Sequence, residues 1–498
     1  MEKLAVLELN ESFLRVSIYK VSNGRMQLIL DKSQRFDLGK EIEAEELIKP
    51  KTRNELLNVI KIYRKLIETY KVTKIVAVAS KVLLSARNYK GFVDEVYNNT
   101  AMTIQILSDE EFLKAVYSSV VNSIDNSKGF FAYVGADFTG IVKYNRRTML
   151  ASQIVPYGID NILKDENGSA RSIDEMQKLM TTELGKIEIL KEVDQESNFV
   201  GCGDAFIAFG KIAKKIARYP LDIDNNYEVS KEVMGKTYDF VKGIDSEKIG
   251  KIKGIDFIDS AKIISSLAIV KAVYQASQSS VIAVSSANLR SGVAIANVVV
   301  PSQAQFSDLL SNSLDNVYEF YKDENSINEY VYQMALILFK QLKVMHKLPR
   351  FYVKPLRIAA YLYDCGKIIN YNNMEKHGFD VILNSGICGA THKELLVAGF
   401  VCMCQNLDNL SLNEWIRYKD ILNDEDLDAV RKLGVILNLA RALNASRKPI
   451  ITDIICDILG DSIIVKTVVE GNAEFEIMEA MKIAGDYKKV FKKSLQII

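Results

Sequence analysis

From Leu4 to Val21 the chain reads LAVLELNESFLRVSIYKV, apolar and polar residues alternating as in strands buried on one face. The alternation runs on to about residue 30 and predicts a β-hairpin with Asn23-Gly24 at its turn. Beyond Pro50 the period lengthens. Leu56, Leu57, Ile60, Tyr63, Leu66 and Ile67 give one face of a helix over Thr52 to Tyr70. Lys74 to Ser80 (KIVAVAS) reads as a buried strand, Gly91 to Asn98 as a short helix and Thr103 to Leu107 as another strand. Ser108, with Glu111 three residues on, has the spacing of a capping box and opens a helix from Asp109 to about Asn122. Such β–α alternation predicts a mixed sheet covered by helices.

Phe130 to Ile141, FFAYVGADFTGI, repeats the opening theme: a buried strand turns through Gly135 and resumes. A strand that breaks at Gly before small or hydroxyl residues presents backbone N–H groups to an anion. Gly135 and Thr139 fit that use; Asp137, inside the turn, does not. Two strand–turn–strand units roughly 125 residues apart predict two similar halves facing each other across a cleft. The order then repeats, with strands flanking Asn145-Arg146-Arg147 and a helix over Ser172 to Leu184. In FVGCGDAF (Phe199 to Phe206) a strand passes through a Gly turn into a helix, and Gly201 and Gly203 allow close approach of backbone to a ligand. Ala261 to Ala276 predicts an apolar helix, Val281 to Ser286 a buried strand, and Asn288 to Ile295 a turn and helix start. After Val300 the pattern is nearly all helical: Ser326 to His346, Pro355 to Tyr363, Lys393 to Met403 and Asp424 to Ser446. That places a boundary near 300 to 310. The C-terminal stretch alternates again over Ile463 to Val469 and Glu474 to Ile477, with a helix expected from Met478.

Composition narrows the class. At 498 residues the chain is too long for one ordinary core, so several domains are expected. A net charge of +1 gives no general field for polyanions, so DNA is not an expected partner and any anion site must be local. The six Cys show no paired spacing and read as thiols of a reducing cytoplasm. No signal peptide is read before Leu4 and no apolar run reaches a membrane span, so no membrane partner is expected. Arg146-Arg147, Lys488-Lys489 and Lys492-Lys493 read as solvated faces.

Five stretches, in order, resemble the exopolyphosphatase/guanosine pentaphosphate phosphatase (Ppx/GppA) family. SARN (Ser85 to Asn88) is similar to the end of its A-T-S-A-L-R-E-A-x-N, and LSDEEFLKAVYSSV (Leu107 to Val120) to I-S-G-E-E-E-A-R-L-I-Y-L-G-V. VGCGD resembles V-G-x-G-G, SSANLRSGV (Ser285 to Val293) resembles S-x-x-G-L-R-E-G-V, and Tyr363 to Ser385 resembles the family's H-D-I-G segment. The resemblance implies an α/β fold. Two actin-like ATPase (ribonuclease H-like) domains, 1–125 and 126–304, would be followed by an all-α HD-like domain, 305–448, and a small α/β C-terminal domain, 449–498. It also implies an acid-anhydride hydrolase of exopolyphosphatase type, Mg2+ as cofactor, polyphosphate or a phosphorylated guanosine nucleotide as ligand, and a homodimer.

The departures bear on chemistry. The family's first phosphate loop, D-x-G-S-N-S-F-R, falls on Glu8 to Arg15, where Asn10 replaces Gly and Glu11 replaces Ser. A carboxylate ~4 Å from a phosphate repels it by about 4 kcal/mol at an effective dielectric near 20. The second loop, D-I-G-G-G-S-T-E, falls on Tyr133 to Gly140, so both its carboxylates are replaced. The presumed base for the attacking water falls on Phe112, and the Arg of A-L-R-E-A on Leu84. Carried over position by position, the catalytic candidates are Glu110 and Glu111 beside Phe112. The phosphate-binding candidates are Ser12, Arg15, Gly135, Thr139, Gly201 and Gly203, and the metal candidates Glu8 and Asp137. Each has a structural alternative: a helix cap for Glu110 and Glu111, and tight turns or strand–helix packing for the glycines. The Tyr363-Asp364 pair stands where an HD site has His-Asp, so His346, Asp364 and His377 make a poor metal set and Asp364 reads as hydrogen-bonded structure. His392 falls in the same helical region. The expected protein is an exopolyphosphatase-like module, catalytically impaired and binding a phosphate ligand or regulating. The alternatives are an Mg2+-dependent phosphohydrolase using Glu8, Glu110, Glu111 and Asp137, and a non-catalytic scaffold dimer.

Overall fold

Strand alternation decides which side chains reach the centre of the molecule. The computed structural model describes residues 2–22, 24–193, 197–244, 246–249, 251–252, 254–255, 258–298, 306, 308–323 and 327–498. The chain divides into two compact units, Met1–Leu309 and Leu310–Ile498.

In the first unit, β1 (Glu2–Leu9), β2 (Phe13–Ser22), β3 (Arg25–Arg35), β4 (Lys74–Ala79) and β5 (Ile104–Ile106) form a sheet in the order β3-β2-β1-β4-β5. A second sheet contains β6 (Lys128–Val134), β7 (Thr139–Asn145), β8 (Thr148–Val155), β9 (Asn198–Cys202), β10 (Tyr227–Ser230) and β11 (Val281–Val284), ordered β10-β11-β9-β6-β7-β8. The plan repeats. β1 pairs antiparallel with β2 and parallel with β4, as β6 does with β7 and β9. These are the paired lobes of the actin-like ATPase fold. Of the expected Asn23-Gly24 turn, Asn23 lies outside the described residues and Gly24 has φ +72°.

The helices of this unit are α1 (Leu38–Glu45), α2 (Pro50–Thr69), α3 (Tyr89–Thr100), α4 (Asp109–Val121), α5 (Ile173–Leu184), α6 (Asp204–Ala217), α7 (Lys231–Gly243), α8 (Ser246–Ile249), α9 (Ser260–Ser277) and α10 (Leu289–Val298). Ala5, Leu7 and Leu9 of β1 pack with α1, α2 and α3 in one core. Phe130, Ala132 and Val134 of β6 pack with α5, α6 and α9 in another. The opposite faces, Leu4 and Val6 of β1 and Phe131 of β6, meet α4 and α10 in a third core between the sheets. Period-two alternation therefore turns Glu8 and Tyr133 toward this central layer. Within it α4 and α10 cross closely: a Cβ on Gly292 would lie 1.8 Å from the Ala115 carbonyl oxygen, and the Ser119 and Ser291 hydroxyls are 2.6 Å apart.

The second unit is helical over Asn328–Gln341, Val353–Tyr361, Met374–Asn384, His392–Met403 and Asp424–Ala442. It then forms a small sheet of β12 (Ile451–Leu459), β13 (Ser462–Val469) and β14 (Ser494–Ile497). The tail differs from the reading of its pattern. Glu474–Met481 is helical, not extended, and the chain ends on strand β14 rather than in a helix. Four alternating residues are too few to separate the two periods, and the face that packs, Glu476 with Ala480, has helical spacing. Residues 299–305, where the boundary was expected to begin, lie outside the described set, as does Ser326. Among the described residues, no helix is long and apolar enough to cross a membrane.

Candidate functional site

The cleft between the two lobes of the first unit holds about 790 Å3, its open mouth included. Glu8, Asn10, Glu11, Ser12 and Arg15 line it from the first sheet, and Tyr133, Gly135, Gly203, Asp204 and Lys262 from the second lobe. A smaller side cavity shares Asn10, Glu11, Phe112 and Tyr133 and extends to Ser80, Lys81, Asp109, Asp137 and Phe138.

The loop joining β1 to β2 ligates itself. Asn10 Oδ1 accepts from the N–H of Ser12 at 3.0 Å and of Phe13 at 2.8 Å, and the Asn10 N–H donates to the Phe13 carbonyl at 2.9 Å. An Asx turn has captured the donors that a loop of this kind would offer an anion. Asn10 Nδ2 donates to Glu8 Oε1 at 2.9 Å, and Arg290 Nη1 donates to Glu8 Oε2 at 2.7 Å. Arg290 also donates to Ser17 and Asp31. Glu8 and Arg290 are 3% and 6% exposed, so both Glu8 oxygens are spent in a buried network.

Three aromatic rings fill the centre. Phe112 of α4 lies 5.1 Å from Tyr133 and 5.8 Å, edge-on, from Phe138, and Tyr133 lies 5.4 Å from Phe138, centroid to centroid. Their positions match the base, the carboxylate and the Ser of the resembled motifs. Phe112 and Phe138 are 7% and 5% exposed. Burial holds the Tyr133 hydroxyl protonated, well above its usual range. A carboxylate at Gly140 would first require Leu113 to move, because a Cβ there would sit 2.6 Å from Leu113 Cδ1.

The remaining candidates separate. Glu111 caps α4: Oε2 accepts from the Ser108 N–H at 2.9 Å and its hydroxyl at 3.0 Å, bonds that hold the carboxyl below its usual range. Glu110 is exposed, and neither Glu110 nor Glu111 lines either cavity. Thr139 is fully buried and donates to the Tyr157 carbonyl at 2.8 Å. Gly201 faces Phe206, where a Cβ would meet the ring at 2.1 Å, and it stands outside the cleft lining. Ser12, Arg15, Gly135 and Gly203 do line the cleft. The Gly135 N–H, however, donates to the Phe138 carbonyl at 3.0 Å.

Cations in the cleft are matched with carboxylates. Arg15 Nη2 meets Asp204 Oδ2 at 3.1 Å, and the guanidinium stacks over Phe13. Lys262 donates to Asp160 at 2.7 Å and to the Ser12 hydroxyl at 3.1 Å. Arg35 pairs with Asp259, and Lys81 with Asp109 and, at 3.6 Å, Asp137. Burial raises the Asp137 carboxyl in spite of Lys81. Glu11 accepts from the Ser80 hydroxyl at 2.7 Å. Burial first, then Asp137, pushes its carboxyl up to about 7.

Mg2+ binds through several oxygen ligands in near-octahedral geometry. Glu8 gives both oxygens to Asn10 and Arg290, and Asp137 faces Lys81. Among the described residues no three His, Cys, Asp or Glu side chains converge as a metal set. These side chains do not fit the ion. In the second unit, His346 Nε2 donates to the Phe339 carbonyl at 2.7 Å, while Nδ1 accepts from the Leu348 N–H at 2.9 Å. Asp364 accepts from Asn328 and Lys367, both at 2.9 Å. Both are structural contacts.

Sequence reasoning missed Arg290, Arg35, Lys262 and the partners of Arg15. Arg290 stood inside the matched SSANLRSGV, and Asn10 two residues before Ser12 carried an Asx-turn signal. Contacts such as Arg15–Asp204 leave no local trace.

A family model described as the Ppx/GppA phosphatase family matches residues 17–299, and one described as Ppx/GppA phosphatase, domain III, matches 311–473. The Aquifex aeolicus Ppx/GppA family member is similar at 22% identity and TM-score 0.51, over 60% of this chain and 97% of its own. An exopolyphosphatase from Cytophaga hutchinsonii is similar at 14% identity and TM-score 0.53, over 60% and 98%. At such identities these likenesses speak for the fold.

Proposed function

The chain belongs to the Ppx/GppA phosphatase family, and from that premise we propose that it is a non-hydrolytic member, acting by holding a phosphorylated ligand or by regulation. The observation that carries this reading is the aromatic trio of Phe112, Tyr133 and Phe138. A positioned general base contributes roughly 10²–10⁴-fold, and a preorganised electrostatic contact about 10²–10³-fold. Rings in both places remove both contributions, which need not multiply because groups acting on one reaction are not additive. Asn10, seated on the loop N–H groups, adds to the loss. Polyphosphate or a phosphorylated guanosine nucleotide is the ligand class, reached through Arg15, Arg35 and Lys262 in the cleft wall. Six free cysteines support a reducing cytoplasm as the setting.

The test is phosphate release from polyphosphate and from guanosine pentaphosphate with Mg2+ supplied. The expected rate equals the protein-free control. Turnover near 1 s⁻¹, the low end for enzymes, overturns the proposal.

One observation favours a second reading. Glu11 lines both cavities with a carboxyl near 7, where a general base works well. If phosphate is released and Glu11→Gln abolishes the release, that reading replaces the first.

A further inference from the structure

Several donor groups in the cleft that could serve an anion hold an oxygen atom from the chain itself. Asn10 Oδ1 sits on the N–H groups of Ser12 and Phe13, Asp160 on Lys262, and Asp204 on Arg15. We propose that Asp204 is a built-in anion that gates the cleft, its carboxylate occupying the seat an external phosphate oxygen would take on Arg15 at the start of α6. The proposal rests on the reading of the cleft as a site for phosphorylated ligands.

Three features single out Asp204. Gly203, at φ +97°, carries the backbone so close to β6 that a Cβ there would be 2.6 Å from the Val134 carbonyl oxygen. This tight turn delivers Asp204 as the first residue of α6, the end of a helix that favours negative charge. Arg15 reaches it from β2, 189 residues away in sequence, with its guanidinium braced on Phe13. Such a fork suits a carboxylate or a phosphate oxygen equally. Finally, the Arg15 and Asp204 side chains are 14% and 38% exposed, so the pair lies within reach of solvent and can be exchanged. Glu8–Arg290, by contrast, is sealed.

The pair is also a strap. Arg15–Asp204, Lys262–Ser12, Arg35–Asp259 and Lys81–Asp137 each join the first lobe to the second. Side-chain pairs thus tie the two lobes together across the cleft. An incoming phosphoanion must evict Asp204 and then bear its charge nearby.

Metal-free tripolyphosphate titrated by calorimetry into the full chain tests this. Asp204→Asn keeps the shape and the helix start while removing the charge; Asp204→Gly supplies the residue of the resembled motif. Both are expected to bind tripolyphosphate at least about tenfold tighter than the unaltered protein, the order expected for removing a partly screened like charge. The gain should vanish when Arg15→Gln is added. Circular dichroism and urea unfolding check folding, and amide hydrogen exchange in β2 and α6 should rise in the unliganded Asp204→Asn protein while the global unfolding curve is kept. Affinity no greater than that of the unaltered chain in a folded variant overturns the proposal, as does a gain that survives Arg15→Gln. Phosphate release, measured separately, decides the hydrolytic question, so either idea can fail without the other.

Discussion

Glu11→Gln should make the protein more stable at pH 8 and leave it unchanged near pH 4.5. Glu11 sits in the side cavity with Ser80, Lys81, Asp109 and Asp137, and Asp160 adds further like charge. Burial first, then Asp137 and Asp160, lift its own carboxyl from 4.5 to about 7. In that window the native protein holds a proton that the unfolded chain releases, so stability falls as pH rises through it. The contribution is complete below the unfolded value of 4.5 and gone above about 7. At 1.36 kcal/mol per pH unit the span is on the order of 3 kcal/mol, an upper figure because Glu11 keeps some contact with solvent. Gln stays neutral, can still accept from Ser80, and flattens the profile. The single Trp, Trp415, belongs to the other unit, so its fluorescence is a poor reporter. Amide exchange in β1 and β6 against pH, for both proteins, gives the opening free energy where it matters. Parallel profiles for the unaltered protein and the Glu11→Gln variant between pH 5 and 8 would refute the reasoning.

Other expectations follow from the central layer. Arg290→Met leaves Glu8 buried without its cation and should destabilise the first unit by about 3–5 kcal/mol, read by urea unfolding followed by circular dichroism. Adding Glu8→Gln should recover part of that loss. Gly292→Ala, which in an open helix gains up to about 1 kcal/mol, should here cost about 1–3 kcal/mol or more, because the new methyl meets the Ala115 carbonyl; the same unfolding curves report it. Phe112→Glu restores the resembled base in name only. Its carboxylate would face Tyr133 and Phe138, and phosphate release should stay at the control level.

The alternation of β1 and β2, the buried strand β6 and the cap of α4 were legible because each is written within a few consecutive residues. Ser108 forms the capping box that its spacing announces, and Ser172 forms a second one with Glu175 that went unread. β10 and α7 went unread, for β10 is four residues long and pairs only at the sheet edge. Motif positions showed that Phe112 and Tyr133 replace polar groups. They did not show that the two rings touch each other and Phe138, since this needs β6, β7 and α4 brought together in space. Glu110 and Glu111 were attractive by their nearness to Phe112 in sequence. On a helix each neighbour turns ~100° further round, and Glu111 serves the cap. The cross-lobe partners of Arg15 and Arg35 come from segments 189 and 224 residues away, beyond any local pattern.

The ring cluster carries an implication for the chain's history. Phe112, Tyr133 and Phe138 are each other's neighbours, so reversing Phe112 or Tyr133 sets a carboxylate against the remaining rings, and reversing Phe138 to Ser leaves a void beside them. Each such single replacement costs packing in the central layer before it can supply any chemistry. On the non-hydrolytic reading proposed above, packing acts as a ratchet, and descendants of this chain acquire new roles for the groove more readily than the resembled chemistry.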